Sequence, residues 1–363
     1  HPSLGGLALQ LSAHGYAQLP GPRWGLDDET ILPEQLVAHV AVAGTGAERF
    51  AQRAEFLTGP HRRTWLEWRA AQLGRFYQRV EDELKAVRPR TRLYLAGADM
   101  LSGPELQRQL RPALGRRTTI AETLLSVGID VEHYRRPDGP VLLRAESLCP
   151  LGPLRLQAVN LEVRQMPDVD HCFAALPTPG SLFCQQPEQL AVPSFDQKSP
   201  FRRTHTALFA HPVPSDRQNR RRLVHSLASI DAQVMLDGGW LLPLGQEDSI
   251  RDLVAAYRRL PAVRFWQVAE PADRQSAQPV TIRYATFEGQ TYVYAANDSP
   301  IPTTARVQLD APIGCRLEEL SGTRSVAPLE YDGQGCSWTV DLEPYDLVAV
   351  RLGSPKVRLF APQ

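Results

Sequence analysis

The feature that most narrows the folds open to this chain is a recurring order. A short apolar run, a polar exit and a helical stretch follow one another repeatedly up to Pro261, and beyond it short alternating runs take over with no long helical periodicity. Residues 4–11 (LGGLALQL), 93–97 (LYLAG), 141–145 (VLLRA), 181–184 (SLFC) and 234–236 (VML) read as strands. They are apolar nearly throughout, as strands buried on both faces of a parallel sheet are. Each empties into polar residues: Ser12, His14, Tyr16 and Gln18 after the first, Asp99 after the second, Glu146 and Ser147 after the third. Gln185, Gln186 and Glu188 follow the fourth, and Asp237 the fifth.

The stretches between these runs have helical spacing. Asp27-Asp28 marks a helix start, and a weaker helical pattern covers 46–57. The strongest helix opens with the capping box Thr64-x-x-Glu67. It carries Trp65, Trp68, Phe76, Val80, Leu84 and Val87 at three- and four-residue steps, a stripe expected to be buried, and it stops at Arg88-Pro89. Further helices are expected over 104–110, 118–127, 219–233 and 249–259. Strand, helix, strand is a βαβ unit, and in such architectures ligands sit at the carboxyl ends of the strands. No GxGxxG follows a strand and no GxxxxGK[ST] occurs, so a (β/α) TIM-barrel-like domain over 1–270 suits the order better than a dinucleotide fold. A closed barrel needs eight strands, and five are legible here. The expectation is therefore the later strands of a barrel, completed by an upstream part of the same polypeptide, a reading favoured by the start at His1 just before a strand. After a polar linker at 271–278, residues 280–285, 291–295, 304–309, 315–320, 337–342 and 347–352 read as an antiparallel β-sandwich over 271–363. Its Tyr284, Tyr292, Tyr294 and Trp338 fit an ordinary core, which makes the sandwich a structural companion.

Composition removes several partner classes. Lys plus Arg and Asp plus Glu stand at 40 each, leaving no electrostatic footprint for nucleic acid or an anionic bilayer. Arg220-Arg221-Arg222 reads as the polar start of a helix. No apolar run approaches the roughly 20 residues of a membrane span. The five cysteines form no CxxC pair, and Cys315 and Cys336 are either a pair or two separate thiols. His205, His211 and His225 lack HxxxH or HxH spacing, so no metal and no cofactor is expected. His225 lies on an apolar-periodic helix, as a satisfied core or interface histidine would. GxSxG is absent. Lysine occurs only at Lys85, Lys198 and Lys356 in an arginine-rich chain, which singles out Lys198, between Asp196 and Pro200, as a place for a compact ammonium.

Five stretches, HPSLGGLALQLS, WLEWRAAQLGRFYQRVEDELKAVRP, PSFDQKSPF, LVHSLASIDAQVMLDGGWLLPLGQED and LEPYDLVAVRL, resemble the carboxyl-terminal part of bacterial family-10-like glycosyl hydrolases. The resemblance spans most of the chain. It implies a TIM-barrel core with a β-sandwich behind it, a carbohydrate substrate, and action outside the cytoplasm. The five strands would then be the fourth to the eighth of the barrel. In the retaining glycosidases of the large TIM-barrel clan, which include the family 42 β-galactosidases, the acid/base glutamate ends strand four and the nucleophile ends strand seven. This sequence departs from that pattern: its fourth strand ends Gln10-Leu11-Ser12-Ala13-His14 without a carboxylate, and Glu188 falls slightly late after its seventh.

Glycoside hydrolysis needs two carboxyl groups flanking the bond, one to protonate the leaving oxygen and one to attack or to activate water. The preferred assignment is Glu146 as general acid with Glu188 or Asp196 as base or nucleophile. Substrate-binding candidates are Gln10, His14, Tyr16, Trp24, Asp99, Gln185, Lys198, Asp237 and Trp240. Each has a structural alternative: Trp24 can pack under its own loop, Asp237 can serve the turn before Gly238-Gly239, and Glu247-Asp248 can cap the helix that follows. Two functions stand. One is a glycosidase, and the other is a non-catalytic carbohydrate-binding or protein-interaction barrel that has lost the strand-four carboxylate.

Overall fold

The computed structural model describes residues 4–12, 17–31, 46–99, 119–147, 167–185, 188–192, 205–209, 216–239, 247–268, 280–331 and 335–360. Its elements in chain order begin with β1 (Gly6–Ser12), α1 (Arg49–Thr58), α2 (Arg62–Val87), β2 (Arg92–Asp99), α3 (Ile120–Ser126), β3 (Val141–Ser147), α4 (Pro167–Ala174) and β4 (Gly180–Gln185). A hairpin, β5 (Glu188–Val192) and β6 (His205–Phe209), precedes α5 (Arg217–Ile230), β7 (Val234–Gly239) and α6 (Arg251–Arg259). Strands β1, β2, β3, β4 and β7 form one sheet in that order, so chain order and sheet order agree and a helix stands between successive strands. The pairs β1–β2 and β2–β3 are parallel. This is a parallel half-barrel with its helices, as the apolar runs and polar exits predict.

Contacts divide the chain into two compact units, His1–Ala145 with Pro153–Leu182, and Glu146–Gly152 with Phe183–Gln363. In the first, α2 lies along β2 and beside α3. Its Trp65, Leu66, Ala70, Leu73 and Tyr77 are buried, and Leu93 and Leu95 of β2 are fully so. Trp65 stacks on the half-buried Trp68 and donates its indole N–H to Pro22 O at 2.8 Å. Arg69, nine-tenths buried, donates to Pro20 O and Ser126 O, and burial pulls its guanidinium down to about 10.

Several expectations are corrected here. Helix α2 starts at Arg62 behind His61 with no side-chain cap, so Thr64 lies inside it and Glu67 pairs with Arg63 at 2.8 Å. The capping box belongs to α3: Thr119 accepts from Glu122 N at 3.2 Å, and Glu122 accepts from Thr119 N at 3.0 Å. Asp27 serves a turn, accepting from Thr30 N and Oγ1 at 2.7 and 2.8 Å. Arg49 and Arg53 hold the neighbouring Asp28 carboxyl down at about 2. Residues 32–45, where a helix would follow, lie outside the described residues, as do 104–110. Strand β1 is at the edge of the sheet, so Leu4 and Leu7 are 55% and 44% exposed rather than buried. In α2, Phe76 and Val87 are also exposed. The stretch after β4 is not only an exit loop: it holds the β5–β6 hairpin.

The second unit contains two antiparallel sheets, β12-β15-β10-β9-β8 and β13-β14-β11-β16. The long strands are β9 (Val280–Phe287), β10 (Gln290–Asn297), β11 (Thr303–Asp310), β14 (Cys336–Leu342) and β15 (Asp346–Leu352). The short ones are β8 (Trp266–Gln267), β12 (Leu317–Glu319), β13 (Glu330–Tyr331) and β16 (Arg358–Phe360). Trp338, Val293, Val307 and Val350 are all at most 1% exposed in the core between the sheets, as alternation demands of a sandwich. Cys315 and Cys336 are not joined in a disulfide, and the Cys336 thiol donates to Leu309 O at 3.4 Å. A second core joins α5 and α6 to the outer face of β10 and β15, through Leu223, Leu227 and Leu253 against Tyr294, Leu347 and Ala349. Above it lies an ion network. Arg220 pairs with Asp252 and Asp346, both at 2.7 Å, and Arg324 meets Asp346 at 2.8 Å and Asp252 at 3.3 Å. Asp346 is fully buried, and its desolvation is offset by both guanidinium groups together with the Glu343 N–H at 3.2 Å. Burial raises the Asp252 carboxyl, but Arg220, the Leu253 N–H and Arg324 together outweigh it and the net displacement is downward. The arginine run is thus a helix start with Arg220 turned to structural use. Half-buried His225 is paired through Nδ1 with Asp298 at 2.6 Å, the satisfied histidine that its spacing predicts.

Candidate functional site

The expected site is the carboxyl edge of the parallel strands. Asp99 is the last residue of β2 and stands in register with Ser12, the last of β1. Between Gln10↔Ala96 and Ser12↔Asp99, β1 advances two residues and β2 three, a bulge of the kind that re-aims strand ends beside sites. Glu146 is the penultimate residue of β3, the parallel partner of β2. Gln185 closes β4, and Asp237 lies within β7 rather than in the turn after it. Glu188 opens β5, opposite Phe209 of β6. His14, Tyr16, Asp196, Lys198 and Trp240 lie outside the described residues. Gln10 is exposed on the edge strand. Trp24 is 67% exposed in the turn after Gly21, so it does not pack under its own loop, and its indole is open to stack on a flat apolar ligand face.

Two further hollows hold chemistry that the strand pattern did not reveal. A cleft of about 990 Å³ in the first unit is walled by the starts of α2 and α3, the turn Val131–Tyr134 and α4. Its charges are largely spent on one another: Arg63 on Glu67, Arg135 on Glu132, and Glu122 on the α3 cap. Burial pushes the Cys172 thiol in its wall up, which disfavours the thiolate. In the second unit a hollow of about 200 Å³ reaches Asp231, Tyr257 and Tyr294. Asp231 terminates α5 in the left-handed region and accepts from Tyr294 Oη at 2.7 Å and Phe265 N at 2.8 Å. Burial pushes its carboxyl up. Sequence spacing could not have assembled this group, because its members come from a helix end, a loop and a sandwich strand. Among the described residues, no group of three or more His, Cys, Asp or Glu could hold a metal ion, and no helix is long and apolar enough to cross a membrane.

No family model matches the chain, and no curated protein matches it. Solved structures do. A family 27 β-L-arabinopyranosidase from Geobacillus stearothermophilus, in complex with arabinose, aligns over 77% of this chain and 62% of its own at 13% identity, with a TM-score of 0.34. The family 30 subfamily 8 xylanase Xyn30A from Clostridium acetobutylicum aligns over 78% and 60% at 10% identity, TM-score 0.32. α-Galactosidase I from Mortierella vinacea aligns over 77% and 71% at 8% identity, TM-score 0.33. These three are glycosidases, and scores at this level carry no argument about what the present chain does. The chain spans less than two thirds of the length of the first structures it matches, 62% and 63%.

Proposed function

We propose that the chain is part of a glycoside hydrolase, family-10-like in its sequence texture, acting on an oligo- or polysaccharide at the carboxyl edge of its parallel strands. In this reading Glu146 is the general acid and Glu188 or Asp196 the base or nucleophile. Gln10, His14, Tyr16, Trp24, Asp99, Gln185, Lys198, Asp237 and Trp240 contact the sugar. Barrel-type sequence gives way to sandwich-type sequence at 270/271, and further strands supplied upstream in the same polypeptide complete the barrel beside β1. The observation that supports this is a glutamate beside the carboxyl end of a parallel strand, Glu146 as the penultimate residue of β3. Ligands of α/β sheets gather at such ends.

The test is hydrolysis of a panel of nitrophenyl glycosides and of xylan and galactan oligosaccharides, followed by Glu146→Gln, Glu188→Gln and Asp196→Asn. A general acid or base contributes about a hundred- to ten-thousand-fold, so Glu146→Gln and one of the other two should lower kcat by that factor with sugar affinity retained. Turnover unaffected by Glu146→Gln removes the assignment. Sugar affinity without turnover in the unaltered chain favours the non-catalytic binding barrel, for which β1 ending in Gln10-Leu11-Ser12 without a carboxylate is the supporting observation.

A further inference from the structure

The hollow beside the end of α5 is built from groups that the glycosidase reading does not use. Three aromatic residues line it: Tyr257 of α6, Phe265 just ahead of β8, and Tyr294 of β10. The Phe265 and Tyr294 rings lie 5.2 Å apart and are tilted by 51°, so these walls meet at an angle instead of stacking flat. Leu260, Pro261 and Val263 add apolar lining. At about 200 Å³ the hollow has room for one compact group, on the scale of the roughly 150 Å³ engineered cavity that takes up benzene.

The charge in its wall selects among compact groups. Asp231 is 3% exposed, and its two oxygens are held by neutral donors, Tyr294 Oη at 2.7 Å and the Phe265 N–H at 2.8 Å. Among the described residues no cation comes within ion-pair distance of it, and Arg264 and Arg283 act on it only from farther off. A buried carboxylate without a paired cation is costly, and a positive charge entering the hollow relieves that cost. The aromatic faces narrow the choice again. Ring quadrupoles attract cations, and a quaternary ammonium suits such walls because it brings no N–H in need of an acceptor, the Asp231 oxygens being already engaged. Arg258, a like charge in the wall, is exposed and screened by solvent. We propose that the hollow formed by Asp231, Tyr257, Phe265 and Tyr294 is a binding site for a quaternary ammonium group, the trimethylammonium head of a small organic cation. It belongs to the second unit alone and does not depend on the glycosidase reading.

The probe is choline, titrated into the 363-residue chain by isothermal calorimetry beside its neutral isostere, in which a tert-butyl group replaces the trimethylammonium. Choline should bind saturably, and the isostere roughly tenfold or more weakly. Asp231→Asn should weaken choline by a similar factor with the circular dichroism spectrum unchanged, because asparagine also tolerates the left-handed conformation at this helix end. Tyr257→Leu, which removes one aromatic wall, should weaken choline as well. Tyr257→Phe should leave its affinity within about twofold, since the Tyr257 hydroxyl has no partner among the described residues to lose. Absence of saturable binding at millimolar choline overturns the proposal. Equal binding of the isostere does so too, for the hollow is then merely apolar, as does choline binding that Asp231→Asn leaves intact. Should Asp231→Asn fail to fold, the ratio of choline to isostere affinity on the unaltered chain decides the matter in the same two directions.

Discussion

At the scale of single residues, the Asp346 carboxylate is held by Arg220 at 2.7 Å and by Arg324 at 2.8 Å. Asp346 sits in a run, LEPYDLVAVRL, that resembles a family pattern, yet nothing in its spacing says that it is fully buried between Arg220 and Arg324. Removing one partner of a buried network leaves the others uncompensated, at about 3 to 5 kcal/mol. Asp346→Ala is therefore expected to lower the urea midpoint by that equivalent with an unchanged m value. Arg351→Ala, which cuts an exposed pair with Glu318, should stay within about 1 kcal/mol. Equal effects would mean the network is no more than surface decoration. His225 shows the opposite case, where residue type and helical spacing sufficed to predict a satisfied group.

At the scale of elements, strand positions were legible because an apolar run bounded by polar residues has few other uses. Helix starts were less so, since the four-residue signature shared by 64–67 and 119–122 caps a helix only at the second. Thr64-x-x-Glu67 lies within α2, whereas Thr119-x-x-Glu122 closes both hydrogen bonds at the start of α3. Thr119→Ala should cost about 1 kcal/mol in a chemical melt. Thr64→Ala, at an exposed position inside the helix, should change stability by no more than about 0.5 kcal/mol. The reverse order would restore the sequence-based start. The apolar stripe of α2 was also misjudged. Period alone cannot say how many faces of a helix are covered, and Phe76 and Val87 belong to a face that the described residues leave open.

At the scale of the whole molecule, the change of sequence grammar near Pro271 does not divide a core. Helices α5 and α6 share Leu223, Leu227 and Leu253 with Tyr294, Leu347 and Ala349 of the sandwich. A fragment of residues 271–363 should therefore expose that face, bind a hydrophobic dye and melt below a fragment of residues 216–363, with differential scanning calorimetry as the measure. Equal melting of the two would make the helices dispensable to the sandwich. By itself the sequence determined the five strands of the parallel sheet, the antiparallel second half and the polar strand exits, but neither α4 nor the β5–β6 hairpin. Those properties follow from period, propensity and turn chemistry, which act over a few neighbouring residues. Tertiary structure alone decided that β1 is an exposed edge, that Asp231 meets Tyr294 and Phe265, and that Arg220 reaches Asp346. Burial and pairing across such separations depend on which surfaces the packed chain brings together, and no local pattern records that.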